Sequence, residues 1–177
     1  QNFFACFLFN STLVMMGFAC LSFLFVPRLF KDNKASYICA SIGSYIAILS
    51  GLSFLGVGLT PADLYFHEHV FFVIVGFRSM VPGLFFLTIA FFLSPVSNKY
   101  TTASILFLVS ITVYSIFETS NPPETSPREN IELFRETVDY NRMVISVIAQ
   151  KVIALISFIS FFVFTYGFYQ LTLLKKH

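Results

Sequence analysis

Three observations predict that this chain is an all-α bundle of transmembrane helices. Hydrophobic residues make up 56% of its 177 residues and charged residues only 11%, whereas soluble domains carry about 25% charged residues. The chain has 25 Phe, whose rings suit a lipid-facing surface because they have no polar atom to satisfy. Its long apolar stretches approach the roughly 20 residues that cross a bilayer. We therefore predict a single transmembrane helical domain over residues 1–177.

Prolines and charged residues separate the predicted spans. About five spans are expected, over roughly residues 3–26, 36–59, 69–93, 101–117 and 143–171. The chain begins at Gln1 and is apolar from the start, so we expect a sixth, N-terminal span in the native protein. A polar loop at 118–142 separates the last two spans, and its part 128–141 has few helix breakers. That part predicts a short surface helix.

The basic residues predict the orientation in the membrane, because short cytoplasmic loops carry an excess of Lys and Arg. The first loop, the third loop and the tail hold Arg28, Lys31, Lys34, Lys99, Lys175 and Lys176. The second loop holds no Lys or Arg. We therefore expect the C-terminus in the cytoplasm, and loops 59–69 and 118–142 on the outer side.

Several polar residues lie well inside the predicted spans, where an unpaired polar group is costly, and the candidates among them are Asn10, Arg78, Gln150 and Lys151. Two explanations are open for the two cations. They can extend their charges toward the interface or pair with acids as structural contacts. Alternatively they bind a ligand, and because the nearby acids lie only at the rim, that ligand would be an anion such as a lipid phosphate.

The stretch from Thr60 to His69 carries the other candidate residues. Thr60, Pro61 and Asp63 have the pattern of a helix start, with an N-cap, a first helical residue and an acidic third position. On that helix His67 shares a face with Asp63, whereas His67 and His69 point about 200° apart. The favoured role for both histidines is hydrogen bonding at the membrane interface.

A zinc site is the alternative, because zinc accepts carboxylate and imidazole ligands. Asp63 and His67 would bind the ion together with Glu118, and His69 joins only if the helix is broken between the histidines. The spacing is a weak signal for such a site. No phosphate-binding loop, nucleophile elbow or metalloprotease motif occurs in the sequence. The residues therefore favour a non-catalytic protein without a cofactor.

The chain resembles a bacterial and archaeal family of membrane proteins with six predicted spans and no known activity. Asn10, the stretch Gly56-Val-Gly-Leu-Thr-Pro61 with Asp63, and the histidine at 67 or 69 carry the resemblance. The wider pattern is also similar to the DRAM (damage-regulated autophagy modulator) family, in which a histidine opens a span after a short loop. Lys151 matches a basic residue near the outer start of a late span. The chain departs from the pattern at Thr60, where an aromatic residue is common.

We therefore predict a membrane protein that binds a lipid or another anionic group in an outward-facing intramembrane pocket. Arg78 and Lys151 would be its cationic contacts, and Asn10 and Gln150 would donate hydrogen bonds. One alternative is a metal-dependent intramembrane lipid hydrolase with Glu118 as a possible base. The other is an accessory subunit of a larger membrane complex. Membrane lipids and other membrane subunits are the expected partners, and a net charge of +2 gives no reason to expect nucleic acid.

Overall fold

The protein is an all-α bundle in a computed structural model that describes residues 3–120, 129–137 and 139–174. The helices in these ranges are α1 (Phe3–Cys20), α2 (Lys34–Leu59), α3 (Phe66–Phe92), α4 (Asn98–Thr119), α5 (Ile131–Thr137) and α6 (Tyr140–Leu174). Two short 3₁₀ helices, Leu21–Leu24 and Val26–Phe30, follow α1 and are called here the 3₁₀ segment. Within these ranges, five helices are long and apolar enough to cross a membrane. The predicted fold class is confirmed.

The long helices pack mainly in chain order. α1 packs on α2, α2 on α3, α3 on α4, and α4 on α6. The 3₁₀ segment packs on α2 and also reaches α6. The most extensive interface joins α2 and α3, and α2 also carries α1. α2 is therefore the central helix, and its small residues allow the close helix contacts that this position needs.

Glycines on α2 allow two close helix crossings. A Cβ added at Gly43 would lie 2.9 Å from the carbonyl oxygen of Gly83 on α3. On the α1 side, a Cβ at Gly51 would lie 2.2 Å from the Cβ of Cys20, and one at Gly58 would lie 2.7 Å from the carbonyl oxygen of Asn10. Gly51 and Gly58 are seven residues apart, so both face α1. Close backbone contact of this kind replaces hydrophobic association, which is weak between helices in lipid.

Serine hydroxyls join α2 to the backbone of α3. The Ser36 hydroxyl donates to the Ala90 carbonyl at 2.7 Å, and the Ser50 hydroxyl donates to the Gly76 carbonyl at 2.8 Å. Both serines are buried. These bonds hold the two helices in register near both ends of their interface, because the two serines are 14 residues, about 21 Å, apart along α2.

The Ser50 bond predicts a measurable change in stability. Ser50→Ala is expected to lower the free energy of unfolding by about 0.6–1.5 kcal/mol, because it removes the hydroxyl that donates from α2 to the Gly76 carbonyl of α3. Ser41→Ala is the matched control, since the Ser41 hydroxyl bonds only within its own helix, to the Tyr37 carbonyl at 2.8 Å. Dodecyl sulfate titration in mixed micelles, followed by far-UV circular dichroism, measures both. Equal losses in the two variants would contradict the prediction.

Exposed lysines mark one end of the bundle. At this end, called here the lysine end, the Asn33 side chain accepts the first free N–H groups of α2 and also donates to the Leu93 carbonyl at the end of α3. Lys31, Lys34 and Lys99 lie exposed there. The opposite end, called the loop end, carries residues 60–69, the end of α4 and the start of α6. Lys175 and Lys176 of the predicted basic tail lie outside the described residues, and the cytoplasmic side remains a prediction.

The predicted helix start at Thr60 is wrong, because α3 begins at Phe66. Thr60 instead ends α2, where its hydroxyl and its N–H both donate to the Gly56 carbonyl, at 2.8 and 3.0 Å. A single turn follows, in which the N–H groups of Leu64 and Tyr65 donate to the Pro61 carbonyl. Thr60 therefore caps the C-terminal end of α2 instead of starting α3. Asp63 lies in the turn and not at the third position of a helix.

The polar loop predicted at 118–142 is described in part. Residues 121–128 and 138 of that loop lie outside the described residues. Within the described part, α5 (Ile131–Thr137) confirms the short helix predicted in 128–141. The Asn130 side chain accepts from the Leu133 N–H at 3.0 Å, which caps the first turn of α5.

Candidate functional site

Arg78 is the thirteenth residue of α3, and its side chain binds the end of α4. Its Nε donates to the Thr119 hydroxyl at 3.2 Å, and its Nη2 donates to the Thr119 carbonyl at 3.3 Å. Thr119 is the last residue of α4, where backbone carbonyls lack helical partners and carry partial negative charge. The Arg78 cation therefore caps α4 rather than pairing with Glu118.

The depth of the Arg78 charge follows from the neighbouring contacts. The Phe77 and Tyr114 rings lie 4.8 Å apart, which sets those two residues at the same level. Thr119 is five residues beyond Tyr114, about 7.5 Å nearer the loop end. Helical side chains lean toward the helix N-terminus, and α3 begins at the loop end. Arg78 thus extends its charge toward the interface, which is one of the two explanations the sequence leaves open.

A second polar contact joins α4 to α6 beside this cap. The Ser146 hydroxyl on α6 donates to the Glu118 carboxylate at 2.7 Å. The buried Tyr114 hydroxyl lies near the Glu118 and Gln150 side chains, although neither contact has hydrogen-bond geometry. The loop-end cluster, as we call it, therefore consists of Arg78, Tyr114, Glu118, Thr119, Ser146 and Gln150, contributed by α3, α4 and α6.

Lys151 lies apart from this cluster. On α6 the buried residue Ile153 marks the packed face. Gln150 precedes Ile153 by three residues and lies about 60° from it, whereas Lys151 precedes it by two and lies about 160° away. Lys151 is exposed and lies on the face of α6 turned away from the bundle. The structure does not bring the two intramembrane cations, Arg78 and Lys151, to one packed face.

Asn10 also lies away from the loop-end cluster. It belongs to α1, which packs on α2 and on the 3₁₀ segment. Its backbone carbonyl lies at the close crossing with Gly58. α1 is thus separated from α4 and α6 by α2 and α3, and Asn10 belongs to the α1–α2 interface.

The two histidines point to different partners. The Nδ1 of His69 lies 2.6 Å from the Thr60 carbonyl oxygen, so this nitrogen carries a proton and donates. This bond ties the first turn of α3 to the end of α2. The Nε2 of His67 lies 3.9 Å from the Glu129 carboxylate, with the His67 side chain 72% exposed. His69 therefore makes a hydrogen bond at the rim. His67, when it is protonated, forms a solvent-exposed ion pair with Glu129.

The proposed zinc ligands do not gather into one group within residues 3–120, 129–137 and 139–174. No set of three or more His, Cys, Asp or Glu side chains in those ranges has the arrangement to hold a metal ion. Glu118 instead accepts from Ser146, and His69 binds backbone. The zinc-dependent hydrolase remains a hypothesis based on the sequence.

Sequence reasoning missed Tyr114, Thr119 and Ser146. Each is an ordinary residue for a membrane helix, and nothing in its local pattern distinguishes it from other hydroxyl-bearing residues. Tyr114 lies four residues before Glu118 and Ser146 lies four residues before Gln150, and these spacings are a signal, whereas Thr119 directly follows Glu118 and has none. Residues at such spacings share a helix face with the charged or amide side chain and so cluster with it when the helices pack.

The fold and the cluster define a class of protein: a polytopic α-helical membrane protein with a polar cluster where α3, α4 and α6 meet. Comparisons with protein-family models, with curated proteins and with solved structures find no match to this chain. The resemblance to the six-span family and to the DRAM family therefore stays a prediction from a few residues.

Proposed function

We propose that this membrane protein binds the phosphate of a phospholipid head group at the loop-end cluster, with Arg78 as the cationic contact. The exposed Arg78 guanidinium, held at the end of α4 by Thr119, is the observation that carries the proposal. A guanidinium has five N–H donors. The hydrogen bonds to Thr119 engage Nε and Nη2, which leaves Nη1 without a partner among the described residues.

An arginine arranged in this way is suited to phosphate. The planar guanidinium binds phosphate oxygens through parallel N–H groups, and partial desolvation at a membrane interface strengthens such bonds. The two bonds to Thr119 reduce the freedom of the long side chain before a ligand arrives, so less conformational entropy is lost on binding.

The neighbouring polar groups favour a head group over a free anion. Glu118 adjoins Thr119 in sequence and faces α6 through Ser146. A carboxylate one residue from the threonine that holds the guanidinium disfavours a small anion at this end of α4 but accommodates an amine or hydroxyl attached to a phosphate. Gln150, on the flank of the packed face of α6, supplies an amide that both donates and accepts. The proposed site therefore contains fewer residues than the site predicted from the sequence, because Lys151 lies on the outward face of α6 and Asn10 lies at the α1–α2 interface.

Arg78→Met is expected to reduce phospholipid retention about tenfold or more, because a hydrogen-bonded charge contributes roughly 1.5–3 kcal/mol. The measurement is native mass spectrometry of the whole chain, released from mild detergent after incubation with phosphatidylethanolamine. Lys151→Met is the matched control, because it removes the same charge at similar depth from the opposite face of α6. It is expected to retain the lipid.

A second control separates binding from structure. Thr119→Val removes the hydroxyl that accepts from Arg78 but leaves the guanidinium and the Thr119 carbonyl position in place. We expect it to retain lipid to within about threefold, since one neutral acceptor is lost. Retention in Arg78→Met equal to that in the parent protein would refute the proposal, as would equal losses in Arg78→Met and Lys151→Met.

A further inference from the structure

A groove between α4 and α6 opens at the lysine end, on the opposite end of the bundle from the loop-end cluster. Its volume is about 440 Å³, and its lining residues are Lys99, Tyr100, Ala103, Phe162, Val163 and Tyr166. On α4 the first two lining residues lie four and three residues before Ala103, and on α6 the first two lie four and three residues before Tyr166, so each set shares a helix face. The groove is therefore an open depression along the α4–α6 contact.

The groove changes from charged to apolar along its length. At its mouth, the Lys99 Nζ lies 5.1 Å from the centroid of the Tyr100 ring, and the Tyr100 and Tyr166 rings lie 6.2 Å apart. Ala103 is four residues past Lys99, and Phe162 is four residues before Tyr166. These two lie about 6 Å farther into the membrane. A charged and aromatic mouth above an apolar floor matches the amphipathic profile of a lipid at the interface.

Tyr100, one of the groove residues, carries a buried hydroxyl without a partner in the described part of the chain. The residue lines the groove and is only 3% exposed. Its hydroxyl has no hydrogen-bond partner among the described residues. Buried hydroxyls in folded proteins are almost always paired. Because this hydroxyl is itself buried, a lipid ester or phosphate oxygen would accept from it only where α4 and α6 part to admit the oxygen.

We propose that this groove binds one anionic phospholipid, with its phosphate at Lys99 and an acyl chain over Ala103 and Phe162. Charge complementarity selects the occupant. Lys99 is exposed at the mouth and is the only lysine among the lining residues. A zwitterionic lipid would fill the apolar floor equally well but would gain less from the cation. The proposal does not depend on the function proposed for the loop-end cluster.

The chain has no Trp, so the fluorescence of one introduced Trp reports directly on its surroundings. Phe162 is 74% exposed, so Phe162→Trp places a single fluorophore at the groove with little structural cost. The protein is reconstituted in bilayers in which brominated phosphatidylglycerol or brominated phosphatidylcholine is the quenching lipid. We expect phosphatidylglycerol to bind the groove about fivefold more strongly than phosphatidylcholine does, because one lysine near an anionic head group contributes about 1 kcal/mol.

Charge and shape variants test each half of the groove in the Phe162→Trp background. Lys99→Gln should bring the preference close to unity, and Ala103→Phe should reduce quenching by both lipids because it fills the floor. Lys34→Gln, at the same end but outside the groove, should leave the preference unchanged. Equal quenching by the two lipids in the parent overturns the proposal, as does an unchanged preference in Lys99→Gln. Arg78→Met should have no effect here, so failure of one lipid site is distinguishable from failure of the other.

Discussion

Phe91→Ala is expected to be among the most destabilising single substitutions in the described bundle, lowering the free energy of unfolding by about 3 kcal/mol. Phe91 is 1% exposed. Its ring stacks between those of Phe164 and Phe168 on α6, with centroids 5.8 and 5.3 Å away, and meets the edge of Phe30 at 5.6 Å. Removing it leaves a cavity at the junction of α3, α6 and the 3₁₀ segment.

The expected loss lies at the lower end of the range for Phe→Ala in soluble cores. In lipid the unfolded helices are also surrounded by apolar groups, so only lost contacts and the cavity contribute. Phe92→Ala is the matched control, because Phe92 is the next residue on the same helix and is 71% exposed. Dodecyl sulfate titration of both variants measures the difference. A Phe92→Ala loss as large as that of Phe91→Ala would disprove this account of the core.

Gly51→Ala is the second large effect, expected to cost about 1–3 kcal/mol through overpacking. The new Cβ would lie 2.2 Å from the Cβ of Cys20 and 2.7 Å from its sulfur. α1 must then move away from α2. The main described contacts of α1 are with α2 and the 3₁₀ segment, so this movement removes much of its packing. We expect a lower thermal midpoint in mild detergent and faster proteolysis of α1.

Gly76→Ala provides the comparison for this variant. It makes the same chemical change inside a transmembrane helix, but its Cβ would meet the Phe54 ring at 3.4 Å, close to ordinary contact. Both variants gain the same helix propensity, so the difference between them reports the α1–α2 contact. Similar midpoints for Gly51→Ala and Gly76→Ala would show that α1 accommodates the added methyl group.

The sequence predicted the spans because hydrocarbon imposes one strong requirement on every helix. Without water, each backbone polar group must be paired within its own helix, so length and hydropathy identify the spans. Helix ends were less predictable. A threonine such as Thr60 can cap either the start or the end of a helix. In the structure it caps the end of α2, and the turn at Pro61 separates it from α3.

The candidate site was predictable only in its components. Arg78, Glu118 and Gln150 are conspicuous because polar groups in a span are rare, and the structure places them around the α4 terminus and its contact with α6. Lys151 was equally conspicuous, yet it lies on the other face of α6. Depth along a helix follows from counting residues, whereas the face that packs depends on which neighbour the helix meets.

The sequence by itself determined that this chain is a multi-pass membrane protein and at what level in the bundle each polar residue lies. Composition and the fixed rise of the α-helix suffice for both. Only the tertiary structure decided that Arg78 caps α4, that Lys151 faces away from the bundle and that Tyr100 and Lys99 border a groove. Those facts depend on helix rotation and neighbour order, which are set by side-chain packing and close glycine contacts between residues far apart in the chain.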